Sequence, residues 1–335
     1  MALTTFSRGP TFAAQGFTAP RGPRLKIGLL NNMPDSAMAA TERQFSSLLQ
    51  VATEGTPVTL KLFALAGVAR GELAQAHMRG RYQGAETLAN AELDGLIVTG
   101  AEPRTPELDH EPYWPALCRV VDWTSDTGMP TIWSCLAAHA AVQRLSRVRR
   151  QPLTAKLSGV FESVPARDDA LLDGISAPLH TPHSRLNGLV EEDLVEKGFR
   201  VLTRSPVAGV DAFVRRGVGL SLFFQGHPEY DSDSLMKEYI RDVSRFLDGR
   251  RPHHPDVPSN YFEPEVEAAL AELSAFASRR PDPKLAPLYG SVLAKADPTR
   301  AWRGSAVRIY RNWLKHLAEA KRPTLSMRRL GGALT

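Results

Sequence analysis

Thr131-Ile-Trp-Ser-Cys135-Leu-Ala-Ala138 is where the text of this chain changes most abruptly: a short apolar run stops at a cysteine and small helix-forming residues begin directly behind it. A strand that becomes a helix within one residue has the layout of a nucleophile elbow, which lifts the side chain at the turn clear of the carboxyl edge of a sheet. The helix N-terminus behind the turn favours a thiolate. Ala137 and Ala138 leave room for so sharp a bend. A lone cysteine after a strand can equally be a buried core residue, so its company decides.

Working outward, short apolar runs at Leu25–Leu30, Val58–Phe63, Leu93–Val98 and Met129–Trp133 alternate with amphipathic stretches at Thr41–Thr53, Tyr113–Thr127 and Leu136–Leu145. That alternation predicts an α/β fold with a mostly parallel sheet flanked by helices. From about Leu157 to Phe224 the runs shorten and Pro and Gly become frequent, predicting antiparallel strands and loops beside the parallel core. Ser232–Leu247 returns to helical spacing. Arg251-Pro-His-His-Pro-Asp-Val-Pro258 marks a break, followed by helical text at Pro264–Ser278 and Ala301–Ala320. The expected organisation is a disordered leader over 1–24, an α/β domain over 25–250 and a helical C-terminal extension over 251–335 packing on the core.

At 335 residues with 43% hydrophobic composition, the chain can bury one large core. No apolar run approaches the roughly 18–20 residues of a membrane span, and the N-terminus lacks a secretory pattern. Cys118 and Cys135 are the two cysteines, and a reactive thiol at Cys135 argues against a disulfide, so a reducing cytoplasm is the expected compartment. The formal charge is +5, yet nine Lys/Arg fall in residues 300–335 against the single Glu319, and four fall in the first 26 against none. The body between is mildly acidic. Without a finger spacing or an aromatic-interleaved basic stripe, neither nucleic acid nor membrane is an expected partner.

His227-Pro-Glu229 follows Gly219-Leu-Ser-Leu-Phe-Phe-Gln-Gly226, another strand ending at a turn. Residues i and i+2 of an extended segment point the same way, so the Glu229 carboxylate can orient an imidazole that serves the Cys135 thiol. In Leu96-Ile-Val-Thr-Gly100-Ala101 a third strand ends in a glycine-containing loop, whose Ala101 amide together with that of Leu136 can form an oxyanion hole. A tight strand-to-loop turn is the plainer reading of that run. His180, His183, His253 and His254 raise the alternative of a metal-binding module, but they lie among Pro and Ser without a coherent ligand set, and no metal is expected.

These residues, in order, resemble the homoserine O-acyltransferases, the family whose O-succinyl- and O-acetyltransferases acylate homoserine from an acyl-CoA at the opening of methionine synthesis. The matching text comprises Ile27-Gly-Leu-Leu-Asn-Asn-Met-Pro34, Thr41-Glu-Arg-Gln44, Asp94-Gly-Leu-Ile-Val-Thr-Gly-Ala101 and Tyr113-Trp-Pro115. It continues with Lys156-Leu-Ser-Gly-Val160, Pro182-His-Ser-Arg185, Gly226-His-Pro-Glu-Tyr-Asp231 and Asn260-Tyr-Phe262, with a weaker echo at Asn312-Trp313. The resemblance implies a class I glutamine-amidotransferase-like fold, an acyl-thioester on Cys135, His227 as general base and Glu229 as its partner. It also implies substrate contacts at Lys156, Ser184 and Arg241, L-homoserine and succinyl-CoA or acetyl-CoA as substrates with no further cofactor, and a homodimer. Counting back from Cys135, Arg104 falls where the family tunes the acyl donor with glycine or glutamate. An arginine can pair bidentately with the free carboxylate of a succinyl group, which favours succinyl-CoA over acetyl-CoA. A serine-directed acyltransferase and a glutamine amidotransferase-like hydrolase are the alternatives, the latter weakened because Cys135 lacks the glycines that usually flank an amidotransferase nucleophile. The text after Met33-Pro34 and between Asn260 and Asn312 runs longer than the family's, marking a divergent branch.

Overall fold

Continuous runs of Leu, Ile and Val, buried on both sides, make the centre of the sheet, as parallel strands covered by helices require. A computed structural model describes residues 11–12, 24–53, 55 and 57–321. Its first half contains β1 (Thr11–Phe12), β2 (Leu25–Leu30), α1 (Asp35–Ala52), β3 (Val58–Ala64), α2 (Glu72–Met78), β4 (Tyr82–Gly84), β5 (Gly95–Thr99), α3 (Trp114–Thr127), β6 (Thr131–Ser134) and α4 (Leu136–Ser146). The second half adds β7 (Gln151–Pro165), β8 (Leu179–Gly188), α5 (Glu191–Glu196), β9 (Arg200–Ser205), β10 (Gly209–Arg216), β11 (Leu220–Phe224), α6 (Ser234–Leu247), α7 (Pro264–Arg279), α8 (Ala286–Leu293) and α9 (Arg303–Lys321).

The strands follow the order β1-β3-β2-β5-β6-β11-β10-β9-β7-β8, with β4 beside β3. Pairing is parallel from β4 and β3 through β2, β5 and β6 to β11. From β11 through β10, β9 and β7 to β8 it is antiparallel, as the shorter Pro- and Gly-rich text predicts. The expected parallel sheet flanked by helices, with further helices at the C-terminal end, is thus the observed architecture. Of the expected leader, Thr11–Phe12 pairs antiparallel with β3; residues 1–10, 13–23 and 322–335 lie outside the described residues.

Successive residues of a strand face opposite sides, and here they fill two cores. Leu25, Ile27, Leu29, Ile97, Ile132 and Leu222 join Phe45, Leu48 and Leu49 of α1 and Tyr310, Trp313 and Leu317 of α9. Leu30, Leu96, Val98, Trp133 and Phe223 face Leu117, Val120 and Val121 of α3 and Ala137, Ala138 and Val142 of α4. A third cluster gathers α6, α7 and α8 around Tyr239, Phe246, Leu270 and Tyr289. Helix α1 begins six residues before the predicted Thr41, because Asp35 in its first turn binds the Gly71 amide at 2.8 Å and Met38 is buried. The apolar spacing of the sequence carried neither contact. The short helices α2, α5 and α8 span too few residues to show a period.

Gly95 lets α9 approach the sheet: a β-carbon there would stand 2.8 Å from both Trp313 and Leu317. Trp313 itself is fully buried against the strands. Truncating so large a core side chain removes both transfer free energy and packing. Trp313→Ala should therefore lower stability by about 3–5 kcal/mol, seen as a reduced denaturant midpoint with the m-value unchanged.

Candidate active site

Two neighbouring parallel strands build the site. β6 and β11 are in register from Thr131 opposite Ser221 to Ser134 opposite Phe224, so the turns that follow them open at the same corner of the sheet. Cys135, immediately after β6, has φ 50° and ψ −110° and caps α4. Its N–H donates to the Phe224 carbonyl at 2.8 Å, tying the elbow to the next strand. The loop after β5 closes the corner: a β-carbon on Gly100 would lie 2.4 Å from the Leu136 β-carbon and 3.2 Å from the Ala137 nitrogen. Only glycine allows this approach, which sets the backbone beside Ala101 against that of Leu136.

After β11, Gly226 fits where a β-carbon would come within 2.4 Å of Thr181 and 2.8 Å of the Pro182 carbonyl. The His227 N–H donates to that carbonyl at 2.8 Å. His227 Nδ1 lies 2.9 Å from Glu229 Oε1, and the same oxygen accepts a 3.1 Å hydrogen bond from the Ser134 hydroxyl. Both His227 and Glu229 are buried. With Nδ1 committed to the carboxylate, Nε2 is left for the thiol, and the charge of Cys135 acts on the imidazole. Burial by itself would depress the imidazole, but the negative charges of Cys135 and Glu229 overcome it and hold His227 well above its ordinary value. Tyr230 stacks on the ring at 4.2 Å between centroids and 15° between planes, fixing its tilt.

Lys156, Ser184 and Arg241, from three separate elements, meet over one face of α6. Glu238 and Asp242 lie one turn apart there. Lys156 Nζ is 2.8 Å from Asp242 and 3.6 Å from Glu238. The Ser184 hydroxyl donates to Glu238, and Tyr230 donates to its other oxygen at 2.6 Å. Arg241 Nε donates to Asp242 at 3.1 Å. Burial would raise the Asp242 carboxyl, yet Lys156 and Arg241 beside it bring it below the usual carboxylate range. Sequence reading missed Glu238 and Asp242 because acids on an amphipathic helix ordinarily face water; their four-residue spacing behind His227-Pro-Glu229 was the available signal.

Arg104 stands exposed on the loop between β5 and α3. Buried Glu111 shapes that loop, accepting from the Arg104 and Thr105 amides at 2.5 and 2.7 Å. Half-buried Arg150 donates to the Pro106 carbonyl of the same loop at 2.8 Å and lies within electrostatic reach of Cys135. Arg150 also escaped the sequence reading, since arginines between a helix and a strand look like surface. The four histidines weighed as metal ligands form no ligand group: His254 packs on Tyr289 and Phe246, while His180 and His183 lie on β8. Among the described residues no group of three or more His, Cys, Asp or Glu could hold a metal, and no helix is long and apolar enough to cross a membrane.

A parallel α/β sheet that presents a thiol, an imidazole and a carboxylate at one strand-end corner is an arrangement suited to acyl transfer, and the protein is an enzyme of the acyltransferase class. The chain belongs to the homoserine O-succinyltransferase family, whose model matches residues 16–324. It is 45% identical to a homoserine O-succinyltransferase from Bradyrhizobium japonicum over 93% of this chain and 96% of that protein. Identity is 46% to one from Methylorubrum extorquens, over 87% of this chain and 86% of the relative. Among solved structures, a glutamine amidotransferase from Methylobacillus flagellatus superposes with a TM-score of 0.47 at 15% identity, covering 89% of this chain and 95% of that one. One from Thermotoga maritima gives 0.46 at 11%, covering 88% and 98%.

His227 must be neutral to take a proton from the acyl acceptor, so catalytic efficiency towards the acceptor should rise with pH through the His227 titration. Because that titration is raised, the rising limb should lie above the ~6.5 of an unperturbed histidine. Removing the Glu229 charge removes one of the raising influences, so Glu229→Gln should shift the limb to lower pH while lowering kcat. Rates measured across pH 5 to 10 in parent and variant check both the position and the direction.

Proposed function

We propose that this protein transfers the succinyl group of succinyl-CoA to the hydroxyl of L-homoserine through a thioester on Cys135. The observation that carries the reading is the hydrogen-bonded pair His227 and Glu229 set beside Cys135 at the ends of two in-register parallel strands, in a chain of this family from residue 16 to 324. The Cys135 thiolate attacks the thioester carbonyl, and the negative charge passes to oxygen, beside which the Ala101 and Leu136 amides are the candidate donors. The C–S bond to CoA breaks, with the proton of the His227 imidazolium going to the departing thiolate. Neutral His227 then takes the hydroxyl proton of homoserine as its oxygen attacks the acyl-enzyme, and Cys135 leaves as thiolate.

Arg241, held by Asp242 yet with a side chain 41% exposed, suits the homoserine carboxylate, with Lys156 and Ser184 beside it. Arg104, on the loop after β5, and Arg150, bonded to that loop, suit the terminal carboxylate of a succinyl group. The protein is proposed to work in the cytoplasm as a homodimer without a bound cofactor.

Mass spectrometry of the protein mixed with succinyl-CoA alone should show one succinyl adduct on Cys135, discharged by homoserine. Cys135→Ala should show no adduct and lose at least ~10³-fold in turnover, whereas Cys118→Ala, altering a partly buried residue of α3, should retain both. Substantial turnover in Cys135→Ala refutes the mechanism. Catalytic efficiency with succinyl-CoA over acetyl-CoA should fall about 10-fold or more in Arg104→Ala, the worth of a hydrogen bond to a charged group; a parent preferring acetyl-CoA refutes the donor assignment.

A further inference from the structure

The loop that carries one of the two candidate oxyanion donors is held by a side chain from a different strand end. Thr99 closes β5 directly beside Ser134 of β6, so their successors, Gly100 and Cys135, begin one strand spacing apart, about 5 Å. Gly100 meets the elbow without a gap, since a β-carbon on it would stand 2.4 Å from that of Leu136. The peptide joining Gly100 to Ala101 therefore lies against the start of α4. Leu136 is the first residue of that helix, so its N–H has no acceptor within the helix.

Asn32, two residues past the end of β2, fixes Thr99 at its hydroxyl and at its carbonyl. The Asn32 N–H donates to the hydroxyl oxygen at 2.8 Å, and the carboxamide nitrogen donates to the carbonyl at 3.0 Å. The carboxamide oxygen accepts from the N–H of Leu65, just past β3, at 3.3 Å. A backbone carbonyl only accepts and a backbone N–H only donates, so one orientation of the amide satisfies both partners. Asn32 and Thr99 are both buried, and breaking either bond would strand a polar group away from water. One side chain thus ties the ends of β2, β3 and β5 together at the residue before Gly100. The Thr99 carbonyl lies in the peptide plane shared with Gly100, so its direction sets where the next peptide, with the Ala101 N–H, begins.

The ladder already joins β2 to β5 as far as Leu30 and Val98, so the tie acts on the loop beyond the sheet. We propose that Asn32 is a positioning residue for acyl transfer: by locking the peptide plane after Thr99, it holds the Ala101 N–H where that group and the Leu136 N–H converge on the oxygen of the tetrahedral intermediate. Such donors are effective because they are fixed before the charge forms, and a misplacement of about 1 Å can cost about 10²-fold in rate. The action of Asn32 is indirect, through the loop.

The inference rests on Cys135 as the acylated nucleophile, and its test separates two reactions of that sulfur. Attack on a thioester places negative charge on oxygen, whereas alkylation by iodoacetamide displaces iodide from a saturated carbon and forms no oxyanion. In a Cys118→Ala background, single-turnover acylation of Cys135 by saturating succinyl-CoA or acetyl-CoA, followed by mass spectrometry, should slow about 10- to 100-fold in Asn32→Ala. Thr99→Val, which removes the hydroxyl that the Asn32 N–H binds, should slow it about 10-fold, the worth of one hydrogen bond. Alkylation should stay near the parental rate in both variants, and Thr99→Ser, which keeps the hydroxyl, should recover most of the acylation rate. Parallel losses of acylation and alkylation show that Asn32 shapes the elbow itself and overturn the proposal. Unchanged acylation in folded Asn32→Ala overturns it too, as does unchanged acylation in Thr99→Val should the first variant fail to fold. Absence of any recovery in Thr99→Ser assigns the loss to packing and overturns the role of the hydrogen bonds. A parent whose Cys135 takes an acyl group from neither donor defeats the transfer mechanism itself, and this inference with it, a result that none of the other outcomes produces.

Discussion

The site depends on the backbone of one residue. Cys135 holds φ 50° and ψ −110°, a conformation that L side chains rarely adopt and that costs of order 1–3 kcal/mol. It persists because its surroundings leave no alternative: β6 is paired on both sides, the Cys135 amide is bound to the neighbouring strand, and Ala137 and Ala138, two and three residues further on, are packed into the core. From that bend follow the exposure of the sulfur and the direction of α4. Gly100 and Gly226 follow too, because the elbow and β8 crowd the ends of β5 and β11 until no side chain fits.

Around the second half of the site, charge is arranged to remain in slight excess of cations. Asp242, Glu238 and Glu102 face Lys156, Arg241, Arg245 and Arg251. Deleting one partner of a buried pair normally strands a charge, but the several cations around Asp242 leave it compensated when one of them turns to a ligand. Tyr230 joins this cluster to the catalytic ring, with one face on His227 and its hydroxyl on Glu238. A single side chain thus links the carboxylates of α6 to the tilt of the His227 imidazole.

The sheet was legible because strands covered on both faces must be apolar at every position. Ile27, Ile97, Ile132 and Leu222 announce themselves without any partner being known. Helix ends and short helices were less legible, since Asp35 and Met38 extend α1 through contacts with residues distant in the chain. Glu238, Asp242, Arg150 and Arg185 were illegible for a related reason. A charged residue reads as solvated until the partner that buries it is seen, and those partners come from other elements.

By itself, then, the sequence determined the alternation of strands and helices, the elbow at Cys135 and the imidazole–carboxylate pair two residues apart, because periodicity and turn chemistry act over a few neighbouring residues. Tertiary structure alone decided that β6 and β11 lie side by side in register, which brings His227 to Cys135 across the intervening chain. It also decided that Lys156, Ser184 and Arg241 share the carboxylates of α6, and that His183 bonds to Arg185 in the buried core. Strand order and burial are set by which apolar faces close on one another, a property of the whole core that no local stretch contains.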